Sequence, residues 1–281
     1  MSVRPFRRTV LAVVALCAIV FFARCHDSGT AKTDPQLFSW SGAVAPDGIV
    51  HLRNVNGSVT VRPSRDSAVH VVVDARWTRG DPKNDIKFVV TPSTNDVTIC
   101  LIWGKGNCDA ENYTTGPSFL GIGKKGTDAT ANLTVEVPSR VRIDAVTVNG
   151  TVDIAATAPV KVVNVNGSVR VATAVGPVNA LTVNGSVDVR MTTIGTDTGT
   201  VRAETVNGAA KAYLPAAPDV DYTLKVMNGG ITNDFADAGA PRSKEQTGVL
   251  GKGGRPLIVK AMNGGVELHK LNADGTAATK P

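Results

Sequence analysis

The sequence has few helix-favouring and few aromatic residues. Of 281 residues only 5 are Glu and 14 are Leu, against 41 Val, and Phe, Trp and Tyr together make up 5%. Because Val favours extended backbone whereas Glu and Leu favour helix, this composition excludes an all-helical fold. The 42% apolar content can bury a large core, so disorder throughout is also excluded, and the length suits one large β domain or two small ones.

A concentrated cationic surface is also lacking. The formal charge of +6 depends on Arg4, Arg7, Arg8 and Arg24, in a stretch of 25 residues that contains no acidic side chain. The remaining chain carries 26 cationic and 24 anionic side chains and no basic run. Since a nucleic-acid binder needs a cationic stripe, we expect no nucleic-acid partner.

The motifs that usually carry catalysis are missing. The chain has no Gly-x-Ser-x-Gly elbow, no His-Glu-x-x-His helix and no P-loop. Residues 121–126 have the glycine spacing of a dinucleotide-binding site. Such a site needs a helix directly after the glycines, but the residues that follow have a strand-like pattern, so we interpret 121–126 as a loop. We expect His51, His70 and His269 to be isolated surface residues. The sequence therefore predicts no catalytic residue, no cofactor and no metal ligand.

The first residues have the pattern of a secretion signal. Three arginines precede an apolar run, 10–23, and polar residues follow Arg24. The run is shorter than the roughly 20 residues that span a bilayer, so an uncleaved anchor is the weaker alternative. The residues that end at Cys25 resemble a lipoprotein box, in which this cysteine would be lipidated. Arg24 occupies a position where a small residue is usual, so the sequence does not decide whether Cys25 is lipidated. We expect an exported protein, periplasmic, outer-envelope or extracellular, which contacts the membrane only through this segment or a lipid on Cys25.

Two of the four cysteines are close in sequence and lie beyond the signal. Cys100 and Cys108 are separated by seven residues, and an exported chain meets oxidising conditions, so they can close a local disulfide. A metal site would need two further ligands, and no nearby Cys or His provides them. We predict a disulfide between Cys100 and Cys108.

A repeated Asn-Gly dipeptide organises the chain. From Asn149 onward the spacings are 17, 18, 23, 21 and 35 residues. The regular copies read Thr-Val-Asn-Gly-Thr-Val-Asp-Ile or a close variant, and the last two read Met-Asn-Gly-Gly. The repeat residues are Asn56, Asn149, Gly150, Asn166, Gly167, Asn184, Gly185, Asn207, Gly208, Asn228 and Asn263.

Asn-Gly between alternating residues is typical of a two-residue hairpin, but that hairpin would put the apolar residues of a repeat on opposite faces. A strand that continues through Asn-Gly would instead put Val148, Val152 and Ile154 on one face. We therefore predict parallel coils stacked about 4.8 Å apart, with an antiparallel sandwich as the alternative. The predicted inward columns are Val148, Val165, Val183 and Val206, and then Val152, Val169, Val187 and Ala210.

Charged residues occur at a fixed place in the repeats. Four residues after each Asn stand Asp153, Arg170, Asp188 and Lys211, so stacked coils would form a ladder of alternating charge, each contact contributing roughly 0.2 to 1 kcal/mol. The Asn side chains would form a second, hydrogen-bonded ladder. Asp153 and Asp188 would lie two coils apart with Arg170 between them, and such a cation lowers the pKa of a carboxyl group, so a catalytic acid is disfavoured there.

The step Val137-Pro138-Ser139 and the repeats after it resemble the bacterial putative-adhesin domain family of unknown function, over about residues 40–270. The resemblance implies an exported β-solenoid or β-roll and supplies no site residues.

We therefore predict an all-β fold, a single-stranded β-helix-like solenoid of 17–23-residue coils with an N-terminal β cap. Its expected function is that of a non-enzymatic, adhesin-like envelope or surface scaffold with an unknown envelope, matrix or protein partner. A carbohydrate-active β-helix enzyme and a self-assembling element are the alternatives. The segments are a signal or targeting segment (1–25), a linker (26–36), an adhesin-like β domain (37–271, divided into an N-terminal section 37–138 and repeat coils 139–271, with a long loop at 236–256) and a disordered tail (272–281).

Overall fold

The computed structural model describes residues 30–114, 127–156, 158–173, 176–194, 199–236 and 243–272. Within these ranges no helix has the length and apolar character needed to cross a membrane. The predicted signal segment, Cys25 and the glycine-spaced stretch 121–126 lie outside the described residues.

Strand is the main secondary structure of the described chain, with almost no helix, as its composition predicts. The first ten strands are β1 (Lys32–Ala43), β2 (Ile49–Arg53), β3 (Val59–Pro63), β4 (Ala68–Trp77), β5 (Ile86–Pro92), β6 (Val97–Trp103), β7 (Thr130–Val137), β8 (Arg142–Val146), β9 (Val152–Ala156) and β10 (Val160–Val163). The other ten are β11 (Val169–Thr173), β12 (Val178–Asn184), β13 (Val187–Met191), β14 (Val201–Asn207), β15 (Ala210–Leu214), β16 (Val220–Asn228), β17 (Ile231–Asn233), β18 (Glu245–Leu250), β19 (Pro256–Asn263) and β20 (Val266–Lys270). One helical turn, α1 (Pro82–Asp85), precedes β5.

The strands form two ten-stranded mixed sheets. Sheet A has the order β1-β4-β7-β3-β9-β11-β13-β15-β20-β17, and sheet B has the order β18-β16-β19-β14-β12-β10-β8-β2-β6-β5. In each Asn-Gly repeat the strand before the dipeptide lies in sheet B and the strand after it lies in sheet A. Each repeat therefore contributes two strands, one to each sheet, and not the single strand that the sequence suggested.

Neighbouring repeats pair in parallel and in register. Val169 lies between Val152 and Val187, and Val187 is also paired with Ala210. The Asn-Gly dipeptides therefore do not close hairpins, and the parallel register predicted from the alternation is confirmed. The pairing begins earlier than expected, because β2 and β3 of the Asn56 repeat pair directly with β8 and β9.

The last two repeats are stacked out of sequence order. Strand β19 pairs in parallel with β14 on one side and β16 on the other, and β20 lies between β15 and β17 in the same way. The Asn263 repeat is thus inserted between the repeats of Asn207 and Asn228. As a result, the Asn228 repeat lies at the end of the stack.

Antiparallel strands flank the parallel repeats. At the first end β4 pairs antiparallel with β7 and β1, and β5 pairs antiparallel with β6. At the other end β18 pairs antiparallel with β16, so the segment 236–256, predicted as a long loop, contains an edge strand. Strand β1 starts at Lys32, inside the interval 26–36 that we predicted as a linker.

Inward-facing residues of both sheets form one apolar core. The column Val152, Val169, Val187 and Ala210 is buried, as predicted. The other predicted column holds only in part: Val165 is buried and the half-buried Val148 packs against the core, whereas Val183 and Val206 are half-buried and lie outside it. The chain bends at each Asn-Gly as it passes from sheet B to sheet A, and this bend ends the strict alternation on which that prediction was based.

Candidate functional site

Six asparagine side chains form a continuous hydrogen-bonded row along the corner where the chain passes between the sheets. Five of the six amide nitrogens, all except that of Asn149, donate to the amide oxygen of the neighbouring repeat over 2.8–2.9 Å. The row runs in the order Asn149, Asn166, Asn184, Asn207, Asn263 and Asn228. Asn56 leaves this pattern, because its amide donates to the Ala129 carbonyl. We call the six residues the Asn ladder.

The glycine after each of these asparagines lies against the backbone of a neighbouring strand. Gly185 has a φ of 153°, and a Cβ added to it would lie 2.3 Å from the Gly167 carbonyl oxygen. At Gly264 the φ is 145° and the same hypothetical contact, to the Gly208 oxygen, is 1.8 Å. Because non-glycine residues rarely adopt such φ values and because a methyl group would collide with the next repeat, the dipeptide requires glycine.

A column of buried polar residues, which the sequence analysis missed, lies two positions before the asparagine of each of the first five repeats. Thr182 and Thr205 donate to the carbonyl oxygens of Gly167 and Gly185, over 2.9 and 2.7 Å. The column consists of Asn54, Thr147, Asn164, Thr182 and Thr205, each at most 5% exposed. The sequence signal was the recurrence of Thr or Asn at this position, which the assumption of strict alternation assigned to the outer face.

The predicted charge row lies on the outer face of sheet A. Its members pair in sequence register as Asp153 with Arg170, Arg170 with Asp188, and Asp188 with Lys211. Lys211 Nζ also lies 3.0 Å from an oxygen of Glu267, which extends the alternation into the inserted repeat.

The pKa of Asp188 differs from that of an exposed carboxyl group in a row of alternating charges. Burial raises the pKa of Asp188, and the nearby Lys211 and Arg170 charges reduce that rise without cancelling it. One of its carboxylate oxygens is buried without a hydrogen-bond partner among the described residues. The neighbouring cations thus lower the pKa of Asp188, as the sequence argument expects, but burial, which that argument did not include, outweighs them and makes the net shift upward.

A second polar group adjoins the row at the far end of sheet A. The two ring nitrogens of His269 lie 3.0 Å from an Asp234 oxygen and 2.8 Å from a Glu267 oxygen. The Tyr213 ring stacks on the His269 imidazole. The Arg190 guanidinium in turn lies over the Tyr213 ring, 4.9 Å from its centre. Burial raises the pKa of Glu267, but the His269 and Lys211 hydrogen bonds outweigh it and lower the pKa below its ordinary value.

A third polar group is buried on the outer side of sheet B. Arg53, 3% exposed, donates to an Asp144 carboxylate oxygen over 2.8 Å, and His51 donates to the same oxygen over 3.0 Å. Burial alone would raise the pKa of Asp144, but the His51 hydrogen bond and the Arg53 charge hold it well below its ordinary value. Arg53 also donates to the Ala110 carbonyl, so the loop after β6 covers the pair.

That loop is joined to β6 by the pair predicted from the sequence. Cys100 and Cys108 form a disulfide, with their Cα atoms 6.3 Å apart. Strand β6 is buried along its whole length, including the side that faces away from the core, because the loop lies over it. The loop side chain Tyr113 donates to the Leu101 carbonyl, and burial raises the pKa of Tyr113 well above its ordinary value.

The three described histidines are therefore not isolated, contrary to the sequence prediction. His51 and His269 belong to the groups above, and His70 bonds Asp66 and Ser41. Glu267 and Asp66 lie only two and four residues from their histidines, so the sequence did hold a local sign of these two contacts. Asp144, Asp234 and Ser41 come from distant segments and could not be recognised as partners. Among the described residues no group of three or more His, Cys, Asp or Glu side chains has the arrangement of a metal site.

Comparison with known proteins gave structural neighbours only. No family model matches the chain, and no curated protein matches it. The chain is similar to a solved structure described as a putative cell adhesion protein from Clostridium sporogenes, with 12% identity and a TM-score of 0.47, over 84% of this chain and 100% of that one. It is also similar to a putative adhesin from Bacteroides fragilis, with 10% identity and a TM-score of 0.21, over 84% of this chain and 97% of that one.

Proposed function

We propose that this chain is an exported, non-enzymatic scaffold of the cell envelope or cell surface, which presents the outer face of sheet A to a partner. In this proposal each repeat is one coil of a β-solenoid, and the antiparallel strands β1, β4 and β5 cap its first end. The disulfide supports export, because disulfides form and persist mainly in oxidising compartments outside the cytosol.

One observation carries the proposal: two polar rows, the charge row on the outer face of sheet A and the Asn ladder along the adjoining corner, repeat from coil to coil and pair within themselves. Each regular coil adds an asparagine to the ladder and a charge opposite in sign to that of its neighbour. The resulting face is polar and periodic, with a repeat of about 4.8 Å along the stack. A partner with extended, repeating polar groups could contact such a face at many points, and many weak contacts add to strong binding.

The ionic contacts along the row favour a scaffold over an enzyme. Arg62 lies 3.1 Å from an Asp153 oxygen, and Lys211 lies 3.0 Å from Glu267. A catalytic carboxyl group has to exchange protons with a substrate, whereas these groups already have opposite charges as neighbours. The row therefore suits binding and the alignment of coils.

A bulky residue on the proposed face tests the binding role. Ala172 is exposed on the outer face of β11 in sheet A, and Thr247 is exposed on the edge strand β18 of sheet B. We expect Ala172→Trp to reduce retention of the purified protein on isolated envelopes of its host several-fold, whereas Thr247→Trp leaves retention unchanged. Equal retention of the two variants would contradict the assignment to sheet A, and no retention of the unmodified protein would contradict the envelope role.

Intact-mass measurement of the protein purified from its host tests export separately. We expect a chain that has lost its N-terminal segment, or carries acyl groups on Cys25, and has the two-hydrogen deficit of the Cys100 to Cys108 bond. A full-length chain with reduced cysteines would contradict export.

A further inference from the structure

An Asn-Gly dipeptide can undergo an intramolecular reaction, the deamidation of its asparagine. The backbone nitrogen of the glycine, after losing its proton, attacks Cγ of the asparagine side chain. A new C–N bond closes a five-membered succinimide ring, and the bond to the side-chain nitrogen breaks, so that ammonia leaves with a proton. Water then opens the ring at either carbonyl to give aspartate or isoaspartate. The reaction needs only water, but it needs a glycine nitrogen that is free to move.

Six of the seven Asn-Gly glycines are prevented from reacting in this way by the stack. Each backbone N–H donates to the carbonyl oxygen of the asparagine in the next coil, over 2.8–2.9 Å. The six are Gly57, Gly150, Gly167, Gly185, Gly208 and Gly264. To attack its own asparagine, such a nitrogen must first break a hydrogen bond between coils and rotate out of a closely packed corner.

Gly229 differs because no coil follows it in the stack. Its N–H has no acceptor among the residues that the structure describes, and both Asn228 and Gly229 are exposed. The carbonyl of the same peptide group, Asn228 C=O, accepts the Gly264 N–H over 2.9 Å. Asn263 C=O accepts the Gly208 N–H in the same way, over 2.9 Å, so the two sites differ on the nitrogen side of the peptide group and not on the carbonyl side.

We propose that Asn228 is a modification site, at which the folded protein spontaneously deamidates through a succinimide formed with Gly229. The insertion of the Asn263 repeat produces this site, since it places Asn228, and not the last repeat of the sequence, at the end of the stack. Deamidation replaces the amide group that donates to Asn263 Oδ1 over 2.9 Å with a carboxylate, which cannot donate. The modified terminal coil is therefore held less tightly.

The chain contains its own matched control. Asn228 and Asn263 both stand in the sequence Met-Asn-Gly-Gly, so their intrinsic reactivities are the same and their native rates can differ only through contacts of the fold. In the fold the Gly264 N–H is bonded, and Asn263 Oδ1 also accepts the Asn228 amide. In a denaturant that unfolds the protein, the two sites should react at equal rates.

The test is to incubate the whole purified protein at mildly alkaline pH and follow both sites by peptide mass spectrometry with fragmentation that separates aspartate from isoaspartate. We expect Asn228 to react at least about tenfold faster than Asn263 in the native protein, which corresponds to about 1.4 kcal/mol of protection, and at the same rate in denaturant. An Asn228→Gln variant should show no early product. Equal native rates at the two sites, or faster reaction at Asn263, would overturn the proposal.

Discussion

Replacement of Gly264 by alanine tests the close stacking of the repeats. Its φ of 145° lies in a region that is essentially restricted to glycine, and a Cβ there would lie 1.8 Å from the Gly208 carbonyl oxygen of the next coil. Gly265, the next residue, provides the control, because its added Cβ would meet nothing closer than the end of the Glu267 side chain, at 3.5 Å.

The expected effect has two parts. Backbone strain at such a φ costs about 1–3 kcal/mol, and the collision forces a shift in two paired strands, which places the total at about 3 kcal/mol or more. For a domain of this size, that loss lowers the melting temperature by roughly 6–12 °C. Gly265→Ala should change the free energy of unfolding by less than about 1 kcal/mol.

Thermal and urea unfolding, followed by circular dichroism, measure both variants. If Gly264→Ala and Gly265→Ala have the same stability, the repeats do not pack closely at the glycine carbonyls and the reasoning fails. A loss confined to Gly264→Ala supports it.

Three further predictions concern buried polar groups. The Thr147 hydroxyl is buried with no partner among the described residues, so Thr147→Val should be neutral or stabilising, whereas Thr182→Val loses a bond to a glycine carbonyl and should cost about 1 kcal/mol. Asp144→Asn leaves a buried arginine without its counter-charge and should cost about 3–5 kcal/mol, while Asp153→Asn, at an exposed pair, should cost less than about 1 kcal/mol. Because burial raises the pKa of Asp188, its ionisation opposes folding at neutral pH. Asp188→Asn should therefore raise the melting temperature at neutral pH, and the gain should disappear as the pH falls to the ordinary carboxyl range and the native side chain is protonated.

Urea titrations at several pH values measure these effects. Equal losses for Asp144→Asn and Asp153→Asn would contradict the burial of the Arg53 pair. A stability gain for Asp188→Asn that grows as the pH falls would contradict the raised pKa of Asp188. A loss at Thr147→Val as large as that at Thr182→Val would show that both hydroxyls are bonded.

Regular alternation made the parallel register of the repeats predictable, and it also set the limit of that prediction. Val152, Val169 and Val187 follow a glycine bend and resume a clean period of two, so their pairing could be read from the repeat. The burial of residues before the bend could not be predicted in this way, because the chain turns between the sheets there and buries Thr182 in place of Val183.

Contacts between distant segments could not be predicted from the sequence. Arg53 and Asp144 are 91 residues apart, and the register pairs Asp144 with His51 and Lys161, so the repeat spacing gave no sign that Arg53 is its partner. The insertion of the Asn263 coil was equally hidden, since spacing shows that two copies are related but does not show which lies at the end.

Disulfide cross-linking of paired cysteines tests the order of the coils most directly. In-register residues of adjacent parallel strands lie about 4.8 Å apart, within reach of a disulfide, whereas residues two coils apart, at about 9.6 Å, are not. The structure pairs Asn207 with Asn263 and places Asn228 one coil further. We predict that the Asn207→Cys, Asn263→Cys double variant cross-links under mild oxidation and that the Asn207→Cys, Asn228→Cys variant does not; the reverse result would contradict the stacking described here.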